Sequence, residues 1–265
     1  MKPGAINYPL SYVLHLADNA LVLGQRNAEW CGHGPVLEED IALANISLDL
    51  VGQSRLLYQH AAELQGDGTT EDTLAYFRGP DAYLNYTLLE LPHTITPDGE
   101  RDYAVTLVRN FLYSALMVLL WNALQRSSDA QLAAIAERSL KESRYHLRHS
   151  RDWLVRLGDG TAESHSRVQA ALAYLVPYTA ELWAESAAEN AAQKQGLGVT
   201  AAELRDDWKA LVDDALQEAT LIWPKLDGHA DNQLPQGKNG AHSSHLAGLL
   251  GEMQSLAQQH PGATW

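Results

Sequence analysis

KESRYHLRHSRDW, residues 141–153, lies in the middle of a long helical pattern and sets a carboxylate and an imidazole one turn apart, Glu142 and His146. Around it Ser139, Leu140, Ser143, Leu147, Ser150, Leu154 and Leu157 recur at helical spacing and predict one buried stripe. Glu142, His146, His149 and Trp153 fall on the flank of that stripe, where a helix borders the core of a bundle. Helix bundles hold a pair of irons with a carboxylate and a histidine from each of two helices and one carboxylate from each of two others. The reading of the chain turns on whether six such ligands are present.

Working outward, this helix runs over 130–157 and stops at Gly158-Asp159-Gly160. Before it, residues 102–126 form a helix dense in Leu, Val, Phe and Tyr with no carboxylate after Asp102. Residues 66–99 read as a long connection punctuated by Gly79-Pro80, Pro92, Pro97 and Gly99, with short helical pieces at 73–77 and 81–89. A second long helix opens after Pro35, with Glu38, Glu39 and Asp40 where the helix dipole favours negative charge, and reaches about Leu64. It is apolar on more than one side, with Ile41, Ala44, Leu48 and Val51 on one stripe and Leu43, Ile46, Leu50 and Leu57 on others, which predicts a central helix. Asn45, Asp49 and Gln53 form a narrow polar seam within it. The first helix starts at Pro9 and ends near Trp30, after a loose stretch 1–7. Four long helices with one long connection between the second and third match the topology of a ferritin-type bundle. Beyond it, a fifth helix is expected at 164–190 with a kink at Pro177, and Thr200-Ala201-Ala202-Glu203 is a capping box opening a sixth, which ends at Trp223-Pro224. A polar loop at 228–240 and a last helix at 242–259 complete one expected domain over 1–265.

The ligand set is incomplete. The second helix offers Asp49 and Gln53, four apart, where a Glu-x-x-His pair would be needed, and an amide is a poor ligand for iron. Glu142 and His146 are also four apart, the first helix offers Asp18 or Glu29, and the third offers nothing at core depth. The expectation is a metal-free seam in which Asp49 and Glu142 pair with Arg144, His146 or another base, since a buried carboxylate without a cation is costly. The reading kept beside it is a residual iron site on Asp49, Glu142 and His146. Three further constellations have a chemical reading. His242 and His245, with His229, have a spacing that zinc could use, but beside Ser243 and Ser244 they read as a helix cap or a contact to a neighbour. Cys31 with His33 lacks the elbow and orienting group of a nucleophile site and reads as a buried structural cysteine. Gly237-Lys238-Asn239-Gly240 could cradle a phosphate, but with no strand before it reads as a flexible surface loop.

A formal net charge of −14 excludes a nucleic-acid partner, whose phosphates need a basic face. A single cysteine, no basic and apolar leader, and no apolar run of about 20 residues point to a cytoplasmic protein without a membrane segment. Seven tryptophans suit either a core or an interface.

The stretches LADNALVLGQRNAEWCGHGPVLEEDIALANISLDLVGQSR (residues 16–55), KESRYHLRHSRDWLVRLGDGT (141–161) and HSSHLAGLLGEMQ (242–254), with the closing PGATW, resemble the C subunits of bacterial phenylacetyl-CoA epoxidase, the ring 1,2-phenylacetyl-CoA oxygenase. The resemblance spans nearly the whole chain. It implies an all-α, ferritin-like four-helix bundle with additional C-terminal helices, serving as the non-catalytic structural subunit of a multicomponent, NADPH-dependent monooxygenase. In that family the A subunit holds the di-iron centre and a separate flavin and iron–sulfur reductase delivers electrons. The implied partners are therefore the catalytic A subunit, other epoxidase subunits and the reductase, with self-association left open. No catalytic, cofactor-binding or metal residue carries over to this chain. A ferritin-like binding protein with no epoxidase partner is the remaining alternative.

Overall fold

The computed structural model describes residues 8–96, 99–225 and 234–263. Four long helices dominate it: α1 (Tyr8–Ala28), α2 (Leu37–Gln65), then, after the short α3 (Glu71–Tyr76) and α4 (Thr87–Glu90), α5 (Tyr103–Leu124) and α6 (Ala130–Gly158). Among the described residues there is no strand, only an isolated bridge between Gln236 and Ala241. α1 packs along α2 and α5 along α6, and the two pairs meet where α2 faces α6. The ends match the chemistry of the chain. Asp129 caps α6 by accepting from Gln131 N and Leu132 N, and Gly66, at φ 70°, ends α2 with its amide bonded to Ala62 O.

The buried stripe expected on α6 is present: Ser139, Leu140, Ser143, Ser150 and Leu154 are buried, with Leu147 and Leu157 packed against the same cluster. α5 lies beside it. Leu112, Leu116 and Leu120 are buried on α5, and each such side chain contributes roughly 1.5–3 kcal/mol by leaving water. α5 is 22 residues long and apolar enough to cross a membrane, contrary to the expectation that no segment was, yet 89% of its apolar 18-residue window is buried in the protein interior. Its apolar surface is consumed by the core.

The connection between α2 and α5 is tied down by Asp18 of α1. That wholly buried carboxylate accepts from Tyr58 Oη, from both terminal nitrogens of Arg78, and from Leu84 N at 2.8 Å. The fifth expected helix is broken at Pro177 rather than kinked: α7 (Ala162–Leu175) gives way to a 3-10 turn, α8 (Ala180–Trp183) and α9 (Ala187–Lys194). The Thr200–Glu203 capping box is present and opens a 3-10 turn leading into α10 (Arg205–Glu218), and α11 (Ser244–Gln259) closes the fold. α10 stops at Glu218, five residues before the expected end at Trp223, where Thr220 adopts φ 57°.

Two expectations are overturned here. Residues 237–240 are not a flexible surface loop. Gly237 and Lys238 are buried, Gly237 N donates to Thr87 Oγ1, Lys238 N donates to Glu181 Oε1 at 2.8 Å, and Lys238 Nζ sits 3.5 Å from Glu189. A Cβ on Gly237 would lie 2.3 Å from Asn85 O, so only glycine lets the turn approach this closely. With its lysine and its amides so engaged, the turn has nothing left for a phosphate. Nor is α2 enclosed on all sides. Leu43, Ile46, Leu50 and Leu57 are buried, but Leu37, Ile41, Leu48 and Val51 face solvent.

Candidate functional site at the α2–α6 seam

α2 and α6 run antiparallel, so residues on their facing flanks meet in reverse order. Gln53 Nε2 donates to Glu142 Oε2 at 2.9 Å, and His146 Nε2 bonds Asp49 Oδ2 at 3.0 Å. One turn further along α6, His149 Nε2 bonds Glu39 Oε2 at 2.9 Å, ten residues before Asp49 on α2, and Tyr103 Oη of α5 donates to the same oxygen. Burial, then the bond to Glu39, push the Tyr103 phenol well above its ordinary range. The ring of Tyr103 meets Trp30 and Trp153 edge to face, at centroid distances of 5.6 and 6.4 Å.

Asp49 and His146, and Gln53 and Glu142, pair across the seam, while Asn45, the third polar position that the sequence placed in it, is exposed. The expected pairing of Asp49 with His146 is present. Glu142 instead takes an amide, Gln53, and Arg138 at 3.4 Å, while Arg144 stays exposed and joins neither carboxylate. Asp49→Ala would leave the buried His146 without its acceptor, and a loss of about 1–2 kcal/mol is expected by urea unfolding. A change below about 0.3 kcal/mol would mean that the seam carries no stability.

Neither first-helix candidate reaches this seam. Asp18 is committed to Arg78 and Tyr58, and Glu29 to Arg26 at 2.6 Å and His93 at 3.5 Å. At the level of the seam α1 passes α2 with Gly24, where an added methyl would touch Leu50 and Val51 at 3.3 Å. Nearer the end of α1, Asn27 and Asn110 of α5 close an amide pair, Asn27 Nδ2 to Asn110 Oδ1 at 2.9 Å. Among the described residues no three His, Cys, Asp or Glu side chains converge as a metal site would require.

The other sequence candidates are dispersed. His242 is held by Glu90 and Tyr83 O, His245 is exposed, Ser243 caps α11, and His229 lies outside the described residues. Cys31 is exposed, not buried, and His33 Nδ1 reaches the carbonyl of Cys31 rather than its thiol. Trp30, Trp121 and Trp208 are buried, while Trp153, Trp183 and Trp223 are half-buried, so none of these six forms an open surface; Trp265 lies outside the described residues. The Glu39–Tyr103–His149 contact has no signal in the sequence. Glu39 reads there as a dipole partner at a helix start, and nothing local couples it to residues 64 and 110 positions away.

Known proteins resemble the chain over its whole given length. The phenylacetic acid catabolic protein family matches residues 1–265. The chain belongs to that family. It is 43% identical over 260 residues, 98% of this chain and 100% of the relative, to the C subunit of the 1,2-phenylacetyl-CoA epoxidase of Escherichia coli (strain K12). The likeness thus extends end to end, and residues of the α2–α6 seam fall inside two of the stretches, 16–55 and 141–161, that carry the resemblance.

Proposed function

We propose that this chain is a non-catalytic structural subunit of a phenylacetyl-CoA epoxidase complex, acting in cytoplasmic phenylacetate breakdown. It binds and supports the di-iron catalytic A subunit, folds as a ferritin-like bundle, and holds no metal or cofactor of its own. The observation that carries this reading is the self-satisfied seam. Two irons need hard anionic oxygens that bridge both metals, with imidazoles completing the set. Here Asp49 is bonded to His146, Glu142 to an amide, and α1 offers glycine at the same level, so the donors do not fit an iron pair. No chemical step is routed through this chain.

The test is iron and zinc per chain, measured by elemental analysis on protein purified alone without chelators or a metal-binding tag. Less than about a tenth of a metal per chain is expected, because a metal would have to break the contacts that already hold Asp49 and Glu142 and would find too few donors in return. Close to two irons per chain would overturn the reading and make Glu142 and His146 the first residues to mutate. A catalytic partner that binds only the folded chain should also raise its melting temperature.

A further inference from the structure

Arg109 is wholly buried on α5, among Val105, Val108 and Leu112, which are wholly buried too. Its Nη2 donates to Pro92 O at 2.8 Å, but its Nε and Nη1 meet no acceptor among the described residues. Arg26, buried on α1, repeats the pattern. It commits Nη1 to Glu29 at 2.6 Å and Nη2 to Glu90 O at 2.6 Å, and leaves its buried Nε without a partner. Glu90 and Pro92 stand two positions apart, so their Cα atoms lie within about 7 Å and their carbonyls draw the two guanidiniums to one place. Burial, and after it the charge of Arg26, press the Arg109 pKa down to about 9, which still leaves it a cation at neutral pH. Tyr174 of α7, half-buried, lies in the field of both guanidiniums.

The neighbours do not supply the missing charge. Glu29 is bound to Arg26, and the Glu90 carboxylate is turned to Asn85, His242 and Ser243. Burial and then the charge of Arg109 hold His93 well below its ordinary range, so it stays neutral, and Arg26 and Arg101 add to that effect. Arg101 donates to Glu29 O at 2.6 Å and brings one more cation to the rim. Arg26 and Arg109 against Glu29 therefore leave one positive charge in excess, in a chain whose formal net charge is −14. A buried charge without a counter-ion is costly, and so is each orphaned donor beside it. We propose that Arg26 and Arg109 bind a small monovalent anion of the halide class, enclosed between α1, the end of α4 and α5. Such an ion cancels the excess charge and accepts from the orphaned nitrogens together. Water would satisfy the donors and leave the charge, and a dianion would overshoot it. The inference goes beyond the subunit reading and holds whether or not a catalytic partner is bound.

Sodium bromide is the probe, because bromide is a halide that also scatters X-rays anomalously. The full-length chain, dialysed free of halide, is titrated with it while sodium isethionate holds the ionic strength constant, and the melting temperature is followed by circular dichroism. A rise on the order of 5 °C at saturation is expected. Crystals in the same salt should show an anomalous difference peak within about 3.5 Å of Arg109 Nε or Nη1. Arg109→Met removes the orphaned donors and the excess charge together, and should abolish the rise. Where that variant does not fold, the peak and the rise in the unaltered chain decide the matter. The absence of a peak at these arginines overturns the inference, and so does a rise that Arg109→Met keeps in full. A peak without any rise marks an adventitious ion only and overturns it as well.

Discussion

Asp18→Ala is expected to lower the free energy of unfolding by about 3–5 kcal/mol, the cost of stripping a buried cation of its counter-charge. Asp18 is wholly buried, and its carboxylate is shared by α1, by Tyr58 of α2, and by Arg78 and Leu84 of the long connection. Arg78 lies over the Tyr83 ring at 4.3 Å and also donates to the carbonyls of Leu74 at 2.6 Å and Ala82 at 2.9 Å. Burial opposes the guanidinium charge, and Asp18 beside it more than restores it. Removing the carboxylate leaves Arg78, Tyr58 Oη and Leu84 N without their common acceptor inside the protein. Urea unfolding measures the loss. Adding Arg78→Met should recover a substantial part of it, because the orphaned charge then leaves as well, so the double variant should fall well short of the sum of the single ones. A loss below about 1 kcal/mol for Asp18→Ala would reduce this hub to an ordinary surface pair.

The same residue shows what a single sequence exposes and what it hides. Asp18 reads as a candidate metal ligand because a carboxylate on a core-facing helix invites that reading. Its true partners lie 40 to 66 positions away, across a connection whose path no local pattern specifies. Helix ends, by contrast, are legible, because caps are local: the Thr200–Glu203 box and the stop after α6 both stand close to where their residue types place them. The long helices and the buried α6 stripe follow from period alone. Period does not say what covers the second apolar side of α2. Ile41 and Leu48 carry the same signal whether the cover is this chain or another, which is why α2 reads as central and stands half open. The 237–240 turn misleads for the converse reason. Its composition is that of a surface loop, but Thr87, Glu181 and Glu189 supply from elsewhere the partners that let it be buried.

Glu90→Ala is the second large effect, again about 3–5 kcal/mol, and here the loss should depend on pH. The wholly buried Glu90 accepts from Asn85 Nδ2 at 3.0 Å, from Ser243 N at 2.6 Å at the start of α11, and from His242 Nδ1 at 2.8 Å. His242 Nε2 also faces an acceptor, Tyr83 O at 2.8 Å, so both ring nitrogens need a proton and the imidazole is held as a cation. Burial opposes that charge, but the bonds to Glu90 and to the Tyr83 carbonyl outweigh it and raise the His242 pKa above its ordinary value. A histidine raised in the folded state contributes stability that is fully present below about pH 6.5 and is lost as pH rises through its folded pKa. Urea unfolding of the unaltered chain and of Glu90→Ala at about pH 6 and again at about pH 9 reads this directly. At the lower pH the variant strands a charged imidazole and the gap should be widest. As pH rises through the raised folded pKa the imidazole loses its charge, and the gap should narrow toward the lost neutral bonds of Asn85, Ser243 and the ring. An equal gap at both pH values would mean that the ring does not change charge between them and that the raised His242 titration contributes nothing to the fastening of α11.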